Sequence, residues 1–229
     1  MTAKTILLIA MVLPFVAGAQ TVPESPSQPS KESHPKPKRV QRGIGIKAGV
    51  NFANVRNTQS INTSNQTGFM AGAFLAPPSK GLMGYRAEII YSKQGYNYAT
   101  QSNTGTVNLD YIIMPHLTTI NLTKFLQLQV GGQIAYLLNA KTDSSKVSSN
   151  NPYGAALGNM DMYNRFDYGL GAGVEIHPVS GLMIGLRMNF SMANVYKDPS
   201  SFMTNPSQSP IPKIEAKNNV LQLSAGWIF

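Results

Sequence analysis

Cysteine is missing from all 229 residues. That excludes disulfides as a source of stability, a thiolate nucleophile and any cysteine-ligated metal. Charge is scarce too: Asp, Glu, Lys and Arg make up 13% of the chain, against about 25% in ordinary soluble domains. A surface so poor in charge does not suit a water-soluble fold. Beyond residue 19 no run of even a dozen apolar residues occurs, so no membrane helix is expected there. Gly-rich phosphate loops, His clusters at metal spacing and nucleophile elbows are also absent. Nothing nominates a catalytic residue, a metal ligand or a cofactor, and the expectation is a non-enzyme.

What is present begins with an export pattern. Lys4, the apolar run Ile6 to Val16 and then Ala17-Gly18-Ala19 predict a signal peptide over residues 1–19. Residues 20–42 mix Pro with Ser, Lys and Glu and predict a disordered or semi-extended periplasmic linker. Lys36, Lys38, Arg39 and Arg42 in that linker are the densest cations of a chain whose formal charge is +9. In an exported protein they read as a solvated spacer beside anionic lipid or cell-wall polymer, not as a nucleic-acid surface.

From residue 43 onward the pattern is alternation, which puts successive side chains on opposite faces of a strand. Ile44, Ile46, Ala48, Val50 and Phe52 oppose Gly45, Lys47, Gly49 and Asn51. Residues 67–76 form a second strand too uniformly small and apolar for its facing to be fixed. Met83, Tyr85, Ala87, Ile89 and Tyr91 oppose Gly84, Arg86, Glu88, Ser92 and Gln94. In the fourth strand Leu109, Tyr111 and Ile113 are expected outward, with Asn108, Asp110, Ile112, Met114 and His116 inward. Leu126, Leu128, Val130, Ile134, Tyr136 and Leu138 oppose Gln127, Gln129, Gly131, Gln133 and Ala135. Phe166 to Ile176 opposes Asp167, three glycines, Glu175 and His177. Leu182, Ile184, Leu186, Met188 and Phe190 oppose Gly185, Arg187, Asn189 and Ser191. Last, Leu221, Leu223, Ala225, Trp227 and Phe229 oppose Gln222, Ser224 and Gly226.

Connections at 77–81, 118–124 and 178–181 are short, whereas 55–66, 96–106, 139–164 and 196–217 are expected to be long polar loops. Short turns on one side and long loops on the other mark an outer-membrane barrel. The expected fold is therefore all-β, an eight-stranded antiparallel up-and-down transmembrane β-barrel over residues 43–229, with both termini periplasmic. A soluble ligand-binding barrel is the rival. The glycine-rich polar face, the long aliphatics and aromatics of the other face and the scarcity of charge oppose it. Tyr85, Tyr91, Tyr111, Tyr136, Tyr168, Trp227 and Phe229 are expected in interfacial belts, in contact with outer-membrane lipid.

Eight strands leave a lumen only wide enough for side chains. The inward charges Lys47, Arg86, Glu88, Asp110, Asp167, Glu175 and Arg187 must then pair, because isolated buried ions are prohibitive. Arg86 and Arg187 are expected in one network with Glu88 and Glu175, plugging the lumen against solute conduction. His116 and His177 are both expected inward as satisfied polar residues, with a weak metal or pH-sensitive site as the lesser alternative.

The segments GIKAGVNFANV (45–55), YRAEIIYSKQG (85–95), LDYIIMPHL (109–117), LQVGGQIAYLLNA (128–140) and DYGLGAGVEI (167–176) resemble the PorT-like outer-membrane β-barrel family of Bacteroidetes-type bacteria. The resemblance implies a Gram-negative outer membrane, and its namesake is associated with type IX protein secretion. It also implies that Leu223, Trp227 and Phe229 form the signal read by the barrel-insertion machinery. Fold does not fix function. The expectation is a structural or interaction module whose envelope or secretion partners meet loops 139–164 and 196–217, with an accessory secretion role or a small-solute channel as alternatives.

Overall fold

Because one face of each segment is oily and the other small or polar, a sheet built from these segments must separate two environments. The computed structural model describes residues 43–56, 62–79, 81–99, 104–144, 160–198 and 216–229. The expected signal peptide, the linker, residues 145–159 and residues 199–215 lie outside them. The strands are β1 (Ile44–Arg56), β2 (Asn62–Leu75), β3 (Met83–Ala99), β4 (Thr104–Asn121), β5 (Leu126–Ser144), β6 (Phe166–Ile176), β7 (Leu182–Ser191) and β8 (Lys217–Ile228). Each pairs antiparallel with its neighbour in sequence, and β8 pairs with β1, so the sheet closes into an eight-stranded up-and-down barrel. Closure leaves no edge strand.

The outward rows are apolar and exposed: Ile46 and Phe52 on β1, Ile89 on β3, Ile134 on β5, Leu170 on β6 and Trp227 on β8 all face away from the lumen. Such a continuous oily surface is unsustainable in water and suits hydrocarbon. The facing of β2 resolves as Phe69 and Leu75 outward, Met70 and Phe74 inward.

Strand lengths differ around the wall. β6, β7 and β8 hold 11, 10 and 12 residues, close to the roughly 9–11 that cross a bilayer when tilted. β3, β4 and β5 hold 17, 18 and 19, roughly seven more than a crossing needs. This corrects two of the expected loops. Most of 55–66 and 96–106 is strand, because β1 reaches Arg56, β2 starts at Asn62, β3 reaches Ala99 and β4 starts at Thr104. Polar residues there decorate a sheet rather than break it. Thr106 Oγ1 donates to Asn97 Oδ1 at 2.7 Å and Gln66 Nε2 donates to Asn108 Oδ1 at 2.7 Å. Gln66 reaches across Gly95, whose φ of 152° and lack of a Cβ leave it room; a Cβ would lie 2.3 Å from the Gln66 amide oxygen.

The fourth strand is inverted relative to expectation. Leu109, Tyr111, Ile113 and Leu117 are buried in the lumen, and Asp110, Ile112, Met114 and His116 face out. Both rows of β4 are apolar at mid-strand, so hydrophobicity cannot choose between them. Register does. β3 pairs Ser92 with Tyr111 and Gln94 with Leu109, and residues directly opposite share a face. The unambiguous lumen row of β3 therefore carries the apolar row of β4 inside, and a one-residue difference flips every side chain.

Candidate functional site in the barrel lumen

Toward the short turns the lumen holds a charge network drawn from strands on opposite walls. Glu88 of β3 receives Lys47 Nζ of β1 at 2.6 Å. Arg187 of β7 clamps the same carboxylate with two parallel bonds, at 2.6 and 2.8 Å. Arg86 of β3 clamps Glu175 of β6 likewise, at 2.6 and 2.8 Å. Gln129 of β5 joins the halves: its Oε1 accepts from Arg187 at 2.5 Å and its Nε2 donates to Glu175 at 3.0 Å. Gln127 Oε1 accepts from Arg86 at 3.3 Å, and the Arg86 guanidinium lies 4.7 Å from the centre of the Phe74 ring. His177 Nε2 stands 3.0 Å from Glu175 Oε1. All five ionic side chains are at most 6% exposed, so bidentate geometry and paired charge are what make their burial tolerable. The lysine and the two arginines set three cations against two carboxylates.

Two expected members lie elsewhere. Asp167 is inward but near the other end, where Ser191 Oγ donates to it at 2.5 Å. Asp110 is a correction: it belongs to the outward row of β4, opposite Lys93 in register, and accepts from Asn139 Nδ2 at 3.3 Å. His116 moves with it to the outer face, where its Nδ1 is 2.5 Å from the Tyr85 hydroxyl. Among the described residues no group of three or more His, Cys, Asp and Glu is arranged to hold a metal.

At mid-height the lumen turns uncharged. Asn51 is fully buried, and its Nδ2 donates to Ser92 Oγ, Phe69 O and Lys93 O at 2.9–3.1 Å. The reach from β1 to the β3 backbone crosses Gly68, where a Cβ would stand 2.0 Å from Lys93 O. Gln222 donates to Asn51 Oδ1, Gln94 to Ser92 Oγ and Asn218 to Gln94 Oε1.

Toward the long loops an apolar and aromatic layer closes the barrel. Tyr96 and Tyr98 of β3, Val107, Leu109 and Tyr111 of β4, and Leu137 and Ala140 of β5 pack against Met162, Tyr163, Val195, Tyr196 and Ala216. The last five come from the bases of the two long connections. A 3-10 turn at Met160–Met162 leads into a bridge between Tyr163 and Tyr196. Backbone bonds Asn164 N to Val195 O, Lys197 N to Met162 O and Val195 N to Ala216 O knit the bases together. The Tyr96 and Tyr196 hydroxyls are hydrogen-bonded, and the Tyr163 and Tyr196 rings lie 5.1 Å apart. Burial pushes the phenols of Tyr163 and Tyr196 above the ordinary tyrosine value. Tyr111, expected in an outer belt, is 2% exposed inside this layer.

Sequence reasoning passed over this second layer and the bridging part of Gln129. The one available signal was that β4 carries apolar residues on both rows. Leu223, Trp227 and Phe229 lie on the outward row at the closing seam, with Trp227 opposite Ile46 of β1 and Phe229 N bonded to Ile44 O at 2.9 Å.

A closed sheet with an oily exterior and a lumen packed with side chains is a membrane-spanning β-barrel. Residues 26–197 match the outer membrane protein beta-barrel domain, and the chain belongs to that family. Its place is the outer membrane, in contact with lipid. Comparison with the curated proteins finds no sequence match. Among solved structures, the attachment invasion locus protein Ail of Yersinia pestis is 12% identical over 82% of this chain and 99% of that one, with a TM-score of 0.45. Neisserial surface protein A is 12% identical over 82% and 97%, with a TM-score of 0.43. OprG from Pseudomonas aeruginosa is 12% identical over 82% and 97%, with a TM-score of 0.42.

Proposed function

We propose that this barrel is a non-enzymatic, non-conducting interaction module of the outer membrane. Both termini then lie on the periplasmic side and the working surface is the long-loop end. The observation that carries the reading is the filled lumen: an ion-paired layer and an aromatic layer block the same axis in series. A solute would have to break bidentate Arg–Glu clamps and then displace packed tyrosines. What supports this orientation is the turns: the three short connections lie at the end that carries Gly43 and Phe229, and short turns are periplasmic in such barrels. Purified protein in planar bilayers is expected to give no stable nanosiemens conductance, and a persistent open channel of that size rejects the reading. An accessory role in type IX secretion is a narrower proposal resting on the PorT-like segments alone, and normal export of secreted proteases in a deletion strain removes it.

A further inference from the structure

Around the outer face, the boundary between oily and polar residues crosses β7, β8 and β1 at Phe190, Asn219 and Asn54, which stand side by side in register. One step further toward the long-loop end, Arg56 of β1 is directly opposite Lys217 of β8. Both point out of the barrel, because their neighbours Val55, Ala216 and Asn218 are buried inside it. Like charges directly opposite each other destabilise a sheet. Among the described residues neither cation has a carboxylate partner, and the flanking Asn54 and Asn219 are neutral.

The geometry of Arg56 adds direction. Its guanidinium lies 5.1 Å from the centre of the Phe190 ring, folded toward the oily band. Stacked on a ring, a guanidinium keeps its in-plane N–H fork free for an oxyanion. The opposite wall shows the contrast. There Lys93, also outward at the boundary, has Asp110 directly across from it. That wall continues upward as the long strands β3 to β5, whereas beside Arg56 and Lys217 the short strands β7 and β8 end near the membrane boundary.

We propose that Arg56 and Lys217 form a binding site for the phosphate of an anionic lipid headgroup in the leaflet on the long-loop side. The proposal rests on the membrane orientation given above. The oxyanion relieves the repulsion between the two cations, Arg56 supplying a bidentate fork and Lys217 a point charge. Each basic residue at a membrane surface contributes about a fivefold gain in affinity for anionic lipid.

The test uses the folded full chain in neutral detergent, with lipid retention read by native mass spectrometry. The probes are phosphatidylglycerol, a bis-phosphorylated glucosamine lipid and phosphatidylcholine. The wild type is expected to retain both anionic lipids over phosphatidylcholine, and the Arg56→Gln/Lys217→Gln variant to lose about twenty-fivefold of that preference, two steps of about fivefold. Lys141→Gln, which removes one cation from the opposite wall, is expected to change it less than twofold. Heat-modifiable migration verifies that each variant is folded, and if the double variant does not fold, Lys217→Gln alone is expected to lose about fivefold. Equal retention by wild type and folded variant overturns the proposal, as does displacement of the lipid by millimolar inorganic phosphate, which assigns the site to a free anion. Lipid retention in detergent is independent of which way the barrel faces. Orientation is read separately, by labelling Asp161→Cys on intact cells with an impermeant maleimide, and the cysteine-free chain gives no background.

Discussion

Toward the short turns the lumen is filled by Lys47, Arg86, Glu88, Glu175 and Arg187; toward the long loops it is filled by Tyr96, Leu109, Tyr111, Tyr163 and Tyr196. Both layers close the same axis, by opposite physics. The ionic layer is cooperative: each charge is buried on the condition that its partner is present, and removing one strands the others in a medium that cannot solvate them. The aromatic layer is close to additive, since each ring or methyl contributes its own buried area and its loss leaves a cavity of limited cost. The ionic layer ties β1, β3, β6 and β7 across the barrel axis. The aromatic layer ties the tall wall of β3 to β5 to the bases of the two long connections.

The sharpest way to break the comparison is to remove Glu88, the carboxylate shared by Lys47 and Arg187. Glu88→Gln leaves three buried cations against Glu175 alone. A loss of about 3–5 kcal/mol is expected, read as a lower urea midpoint for the fast-migrating folded form. Adding Lys47→Met, which removes one stranded cation, is expected to restore part of that loss. If the double variant is no more stable than Glu88→Gln, the layer is not held by charge pairing.

Truncation in the other layer is expected to cost less. Leu109→Ala removes a fully buried side chain, at about 2–4 kcal/mol. Because that side chain belongs to the cluster that also holds the loop bases, the barrel is expected to keep its heat-modifiable form while the long connections become more susceptible to limited proteolysis. A variant that unfolds as completely as Glu88→Gln, with no separate loop opening, would mean that the two layers are one cooperative unit.

Legibility in the sequence followed the same division. Seven strands could be placed, and six faced, from alternation, because in those six an apolar row opposes glycines, amides or charges and only one facing is tolerable in lipid. The charge network was open to the same reasoning, since Arg86, Glu88, Glu175 and Arg187 interrupt otherwise small rows. β4 was not, because Leu109, Tyr111 and Ile113 look lipid-facing when judged as a strand in isolation. Their facing depends on register with Ser92 and Gln94, a relation between distant segments that no local window contains. The same gap hid the aromatic layer: Tyr163 and Tyr196 lie in polar connections and acquire meaning only through their bridge. Strand ends at Ala99 and Thr104 were obscured by Asn and Thr, which read as loop residues yet serve well on the wet side of a sheet.

The finest test of the difference is a single hydroxyl. Tyr196→Phe keeps the ring of the aromatic layer and removes only the hydroxyl, with its bonds to Tyr96 and Tyr163, so a loss of about 1–2 kcal/mol is expected at neutral pH. The pH dependence carries more information than that loss. Burial, and after it the neighbouring phenols Tyr96 and Tyr163, raise the Tyr196 hydroxyl well above the ordinary tyrosine value. The folded state therefore holds that proton where the unfolded chain releases it. The associated stability is fully present below pH 10 and declines as pH rises beyond it. Urea midpoints of the wild type should therefore fall above pH 10, with a shallower fall in Tyr196→Phe, which has one fewer such proton to lose. Tyrosinate absorbance should rise late and together with loop proteolysis, since Tyr163 is raised as well. If Tyr196→Phe keeps the full alkaline slope of the wild type, the phenol is not what seals the loop end, and apolar packing alone distinguishes this layer from the ionic one.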